Sequence, residues 1–179
     1  MINLQKHKNI YCFDTSAFLT LSRTSENIIE LPETLWEHLE LMMKSSELIS
    51  HKIVYDEISS KNKNPDFITK WILNKKDYFL ERTNTQIIEV SKIVKQFSSL
   101  IDINCEKEQA DPWVIALAIE KSKDDNLFEV FTSIVVSQES LTSTKTIPAV
   151  CKAFGIRHLS LRTFFNEIGL SASILKKES

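Results

Sequence analysis

Only two glycines, Gly155 and Gly169, occur among the 179 residues. Neither a GxGxxG nor a GxxxxGKS/T loop can be built from them, which excludes a glycine-rich cradle for nucleotide phosphates. Cysteine is scarce as well. Cys12, Cys105 and Cys151 are odd in number and far apart, no CxxC is present, and His7, His38, His51 and His158 are scattered. That spacing argues against a zinc site or a disulfide framework, and Cys12 and Cys151, both in apolar runs, read as buried free thiols. Positive charge is not in excess either: 22 Lys and Arg stand against 24 Asp and Glu, a net charge of −2. A protein that grips nucleic acid by its overall charge is usually basic, so any such contact here has to come from a local patch or through bound metal. Long hydrophobic runs are also missing. Ile10 to Phe13 is far too short for a signal-peptide core or a membrane span, so the chain is expected to be cytoplasmic, with no membrane contact.

What remains is an ordinary globular composition, 42% hydrophobic and 26% charged. The length suits one domain, expected over residues 1–170, with a polar tail from Ser171 to Ser179. Ile10-Tyr11-Cys12-Phe13 is continuously apolar, the pattern of a strand covered on both faces. Thr15 to Ser22 reads as a helix start, and Glu33 to Lys44 as a helix with Leu35, Trp36, Leu39 and Met43 at helical spacing. Leu48-Ile49 is a short strand, His51 to Ser60 a helix, Lys61 to Pro65 a break and Phe67 to Leu73 a further helix. Tyr78 to Leu80 follows as a strand and Thr85 to Leu100 as an amphipathic helix. Asp111-Pro112 opens a helix to about Glu120, and Val130 to Val136 is a strand. Thr146 and Pro148 begin a helix that Gly155 ends. Ile156 to Leu159 is the last strand, and Ser160 caps a final helix that Gly169 terminates. Strands alternating with helices imply a parallel sheet with crossover helices.

Ligands of an open parallel sheet bind beyond the carboxyl ends of its strands, and that rule selects among the 24 acids. Asp14 directly follows the first strand, where it could also serve as a helix cap. Glu139 lies a few residues beyond Val136, in a polar loop from Ser137 to Thr144. Asp111 opens a helix that is apolar on every face from Trp113 to Ile119 and is therefore buried. Its place before Pro112 equally suits an N-cap. On the helix after Leu48-Ile49, Ile53, Val54 and Ile58 define the inner face. At roughly 100° per residue, Glu57 falls within about 40° of that face's centre and Asp56 about 140° away. Glu57 is thus the inward carboxylate, and a metal ion would offset the penalty of burying it. Four carboxylates in one cleft raise one another's pKa, and a hard divalent cation such as Mg2+ relieves this while activating water and stabilising charge on a phosphate.

These residues resemble the PIN-domain nucleases. Tyr11-Cys12-Phe13-Asp14-Thr15-Ser16-Ala17-Phe18-Leu19 looks like that family's opening strand and Asp-Thr-Ser motif. Val54-Tyr55-Asp56-Glu57-Ile58 looks like its second acidic motif, and Ala110-Asp111-Pro112-Trp113-Val114-Ile115-Ala116-Leu117-Ala118 like its third. Val135-Val136-Ser137-Gln138-Glu139 resembles the fourth, although the family usually has aspartate there. The run from Ile147 to Ile156 is similar to a PIN-like branch carried as a domain of unknown function, whose members resemble toxins of bacterial type II toxin–antitoxin pairs. The resemblance implies a three-layer α/β/α fold around a parallel sheet of about five strands in the order 3-2-1-4-5. It implies endoribonuclease activity with Mg2+ or Mn2+ held by Asp14, Glu57, Asp111 and Glu139, with Ser16 and Ser137 orienting ligand or water. It also implies an RNA substrate, a small antitoxin that blocks the cleft, and a homodimer. A phosphatase of the haloacid-dehalogenase type also places an aspartate after its first strand, but it wants a second acid where this chain has Ser16. The rival from another class is a catalytically inactive PIN-like scaffold that binds RNA or a protein, which the negative net charge would suit.

Overall fold

The computed structural model describes residues 6–27, 33–61, 67–102, 104–105, 107–124, 129–139 and 146–170. The expected polar tail, and parts of the break after Lys61, of the stretch from Lys121 to Glu129 and of the loop from Ser137 to Thr144, lie outside the described residues. The elements run β1 (Lys6–Phe13), α1 (Thr15–Asn27), α2 (Glu33–Lys44), β2 (Leu48–His51), α3 (Lys52–Lys61), α4 (Phe67–Leu73), β3 (Phe79–Leu80), α5 (Asn84–Gln96), α6 (Asp111–Lys121), β4 (Glu129–Val136), α7 (Ile147–Ala153), β5 (Arg157–Leu159) and α8 (Leu161–Glu167). The five strands form one sheet in the order β3-β2-β1-β4-β5, and every pairing is parallel. This is the sheet and the strand order that the resemblance implied, with helices packed against it.

β1 begins four residues earlier than its apolar run. Its first half, Lys6 to Asn9, pairs with β4 from Glu129 to Thr132, while β2 pairs with β1 only at Tyr11 and Cys12. The polar half is therefore exposed along one edge, which hides it from a search for buried strands. Side chains alternate across the sheet. Tyr11 and Phe13 meet the Phe164 ring of α8 edge-on, both at 4.9 Å, and Phe13 also meets Phe18 of α1. α6 lies against β1, β2 and β4, and every residue from Pro112 to Ile119 is buried, as its all-round apolar sequence requires.

The helix ends differ from expectation in instructive ways. α5 starts at Asn84 because Thr83 forms a capping box with Gln86, and it stops at Gln96, with Ser98–Leu100 as a separate 3-10 turn. Gly155 and Gly169 take φ of +69° and +77° just past α7 and α8, the left-handed conformation that glycine adopts without a Cβ clash. Among the described residues no helix is long and apolar enough to cross a membrane.

Phe164 is fully buried against Tyr11, Phe13 and Phe165. Phe164→Ala is expected to lower unfolding stability by about 3–5 kcal/mol in urea titration. A loss under about 1 kcal/mol would show that α8 is not part of the core.

Candidate active site

β1 ends where its neighbours hold it. The Asp14 N–H donates to Val136 O at 3.0 Å, and the Ser50 hydroxyl of β2 donates to Phe13 O at 2.7 Å. The Asp14 side chain is therefore set at the centre of the sheet's carboxyl edge, and it is 2% exposed. Its Oδ2 accepts from the Ser16 N–H at 3.0 Å and the Ser16 hydroxyl at 2.7 Å, so it does cap α1. Its Oδ1 is buried without a hydrogen-bond partner among the described residues. Burial pushes the Asp14 pKa up, the two Ser16 bonds oppose this, and the charge of Glu57 adds to the rise. The Ser16 hydroxyl also accepts from the Gln138 N–H at 2.9 Å, tying the ends of β1 and β4 together.

Glu57 is the inward member of its pair. Asp56 is exposed and pairs with Lys52, one helical turn back. Glu57 Oε2 accepts from the Thr15 hydroxyl at 2.7 Å, and Oε1 accepts from the Ala110 N–H at 2.9 Å. Two protein hydrogen bonds thus offset its burial penalty, for which the sequence offers a metal ion as one remedy.

Asp111 is not an N-cap. Ala110 holds the cap position with helical φ and ψ and no side-chain bond, and Asp111 is the first helical residue. Its carboxyl is left facing the cleft and its pKa rises to about 8, from burial first and then from the charges of Asp14, Glu139 and Glu57. Glu139 is also raised, by burial and by Asp14, but its Oε2 accepts from the Ile147 N–H at 2.7 Å. It thereby caps α7, where the Thr146 side chain makes no capping bond.

The four acids line one cleft of about 850 Å³, together with Asp56, Asp102, Glu108, Thr15, Ser16, Arg82 and Lys107. They act on one another electrostatically, but among the described residues no three of His, Cys, Asp and Glu are drawn together as a ready-made metal cage. Ser137 is not in the lining. It is fully buried, and its hydroxyl lies 2.9 Å from His158 Nε2, whose ring burial holds near a pKa of about 4 and so neutral. Thr15, the partner of Glu57, stood in the Asp-Thr-Ser motif without a role. Arg82 follows β3 by two residues, so the strand-end rule reaches it only when extended from acids to basic residues.

A carboxyl whose folded pKa lies above its ordinary 3.8 binds its proton more tightly in the folded chain than in the unfolded one. The contribution of Asp111 to stability is then fully present below the ordinary carboxylate range and is lost as pH rises through about 8. The metal-free protein is expected to melt several degrees lower at about pH 8 than at about pH 5, and Asp111→Asn is expected to remove most of that fall. An unchanged pH slope in Asp111→Asn would place the strain elsewhere.

No curated protein matches this sequence. A solved structure of VapBC2 from Rickettsia felis bound to a DNA fragment from their promoter is similar over 84% of this chain and 98% of that one, at 12% identity and a TM-score of 0.46. A likeness this slight says nothing of chemistry. The family described as a domain of unknown function (DUF4411) matches residues 11–172, from the opening strand past all four acids, and the chain belongs to that family.

Proposed function

We propose that this chain is a PIN-like, metal-dependent endoribonuclease and acts as the toxin of a type II toxin–antitoxin pair. The observation that carries the reading is the Asp14 and Asp111 pair: one buried carboxylate oxygen without a partner beside a carboxyl whose pKa is raised to about 8, at the carboxyl edge of a parallel sheet. A buried oxygen without a partner and a neighbouring acid that burial and like charge disfavour as an anion fit a hard divalent cation, Mg2+ or Mn2+, which takes oxygen ligands. Asp14 and Asp111 would hold it, with Glu57 and Glu139 at the margins, each already giving an oxygen to a backbone N–H. When bound, the cation supplies acidity to water and stabilises charge growing on phosphoryl oxygens.

The chain's own groups do the rest. Ser16 fixes Asp14 Oδ2 and leaves Oδ1 without a hydrogen-bond partner among the described residues. Glu57 holds the start of α6 against the start of α1, which sets the distance between Asp111 and Asp14. Cleavage in this reading is hydrolysis. A water oxygen bonds to phosphorus, the P–O bond to one ribose oxygen breaks, and that oxygen leaves with a proton. The acid-rich lining supports an antitoxin that blocks the cleft with a basic segment. It also favours a second reading, a non-cutting scaffold that receives a basic protein segment there. A homodimer belongs to the first reading and is tested by sedimentation.

Purified protein is expected to cut single-stranded RNA in Mg2+ or Mn2+ and not in EDTA. Asp14→Asn and Asp111→Asn should fall to background, Glu139→Gln should lose less, and Ser16→Ala should lose about 10–100-fold. Variants that cut as well as the parent would mean a contaminating nuclease and would leave the scaffold reading standing.

A further inference from the structure

The cleft has a charge problem. Seven acids line it, Asp14, Asp56, Glu57, Asp102, Glu108, Asp111 and Glu139, and the basic residues of the lining are Arg82 and Lys107. A polyanion entering such a cleft meets repulsion that one or two cations near Asp14 do not reach across its whole width. A fixed cationic side chain in the lining offsets that repulsion, and its position in the fold singles out Arg82. It lies two residues beyond β3, so it stands at the same carboxyl edge as Asp14. Its guanidinium lies 5.0 Å over the ring of Trp113, two residues after Asp111 on the same helix. A guanidinium stacked on an indole keeps its fork free to bind in the plane. That fork is engaged by Glu108, Nη2 donating to Oε2 at 2.8 Å and Nη1 to Oε1 at 3.5 Å.

On the reading of the chain as a ribonuclease, we propose that Arg82 binds a phosphate of the RNA backbone, with Glu108 occupying the fork until RNA displaces it. A carboxylate and a phosphate both present two oxygens to the same guanidinium geometry, so one can stand in for the other. The exchange is easy because the ion pair is exposed, 51% at Arg82 and 45% at Glu108, where solvent screens it. The contact to Trp113 does not depend on Glu108, so Arg82 stays aligned with Asp111 when the carboxylate leaves. Lys107 has no ring contact of this kind among the described residues.

Arg82→Ala and Glu108→Gln remove the same ion pair. A purely structural link predicts that both change RNA handling in the same direction, while phosphate binding predicts opposite signs. Binding of a fluorescein-labelled single-stranded RNA is measured by anisotropy against salt in an Asp111→Asn background, and KM for its cleavage in the parent background. Arg82→Ala is expected to weaken binding, raise KM more than it lowers kcat, and flatten the slope of log affinity against log salt by roughly 0.7. Glu108→Gln is expected to tighten binding by roughly twofold to fivefold. Arg82→Lys, which carries the test if the alanine variant fails to fold, should keep the salt slope and still bind more weakly than the parent, because the fork is lost. Parent cleavage with both substitutions acting alike, or with neither changing KM, overturns the role of Arg82 and leaves the nuclease reading intact. A parent that neither binds nor cuts RNA overturns that reading and this inference with it.

Discussion

Glu57 joins three parts of the chain with one carboxylate. One oxygen takes the Thr15 hydroxyl, one residue past Asp14, and the other takes the Ala110 N–H, one residue before Asp111. The helix that carries Glu57 is thereby clasped to the start of α1 and the start of α6. A carboxylate acceptor makes stronger hydrogen bonds than a neutral one, and both are well formed, at 2.7 and 2.9 Å. Without the clasp, Asp14 and Asp111, whose charges repel, would have only the sheet and the packing of α6 to keep them near one another.

The same economy runs through the site. Asp14 caps α1 with one oxygen and leaves the other unsatisfied. Glu139 caps α7, and Ser16 links Asp14 to the end of β4. Of the four acids, Asp111 alone has no side-chain hydrogen bond to another residue among the described residues, and its pKa is the one driven to about 8. Burial first, and the neighbouring negative charges second, raise the proton affinity of Asp14, Asp111 and Glu139. Such a cleft is suited to a cation and unsuited to an anion, which is why its few basic groups matter as much as its acids.

Aromatic packing supplies the rigidity beneath. Phe164, Phe13, Phe18 and Tyr11 form a continuous ring cluster on one side of β1, and the buried α6 covers the other. His51, fully buried and held neutral near a pKa of about 4 by burial, stacks on Trp113 at 5.0 Å and accepts from the Ile53 N–H. It thus couples the start of α3 to α6 a second time. Trp113 carries His51 and Arg82 on one ring system, so the wall of the cleft is continuous with the core.

The one-dimensional pattern determined the strands, most helices and the identity of the inward acids. Continuous apolar runs, helical spacing and strand-end position are local properties, readable at Ile10 to Phe13, at Trp113 to Ile119 and in the choice of Glu57 over Asp56. Local pattern failed where a polar segment became a strand by pairing alone, as in Lys6 to Asn9, and where a capping signal was not used, as at Asp111. The resemblance to the PIN nucleases named the strand order in advance. Tertiary structure alone decided which oxygens are occupied. Thr15 reaches Glu57 across 42 positions, Glu57 reaches Ala110 across 53 and Arg82 reaches Glu108 across 26. Ser137 turned from the cleft to His158 for the same reason. Such pairs depend on sheet order and register, which bring distant residues to one edge, and no spacing along the chain encodes them.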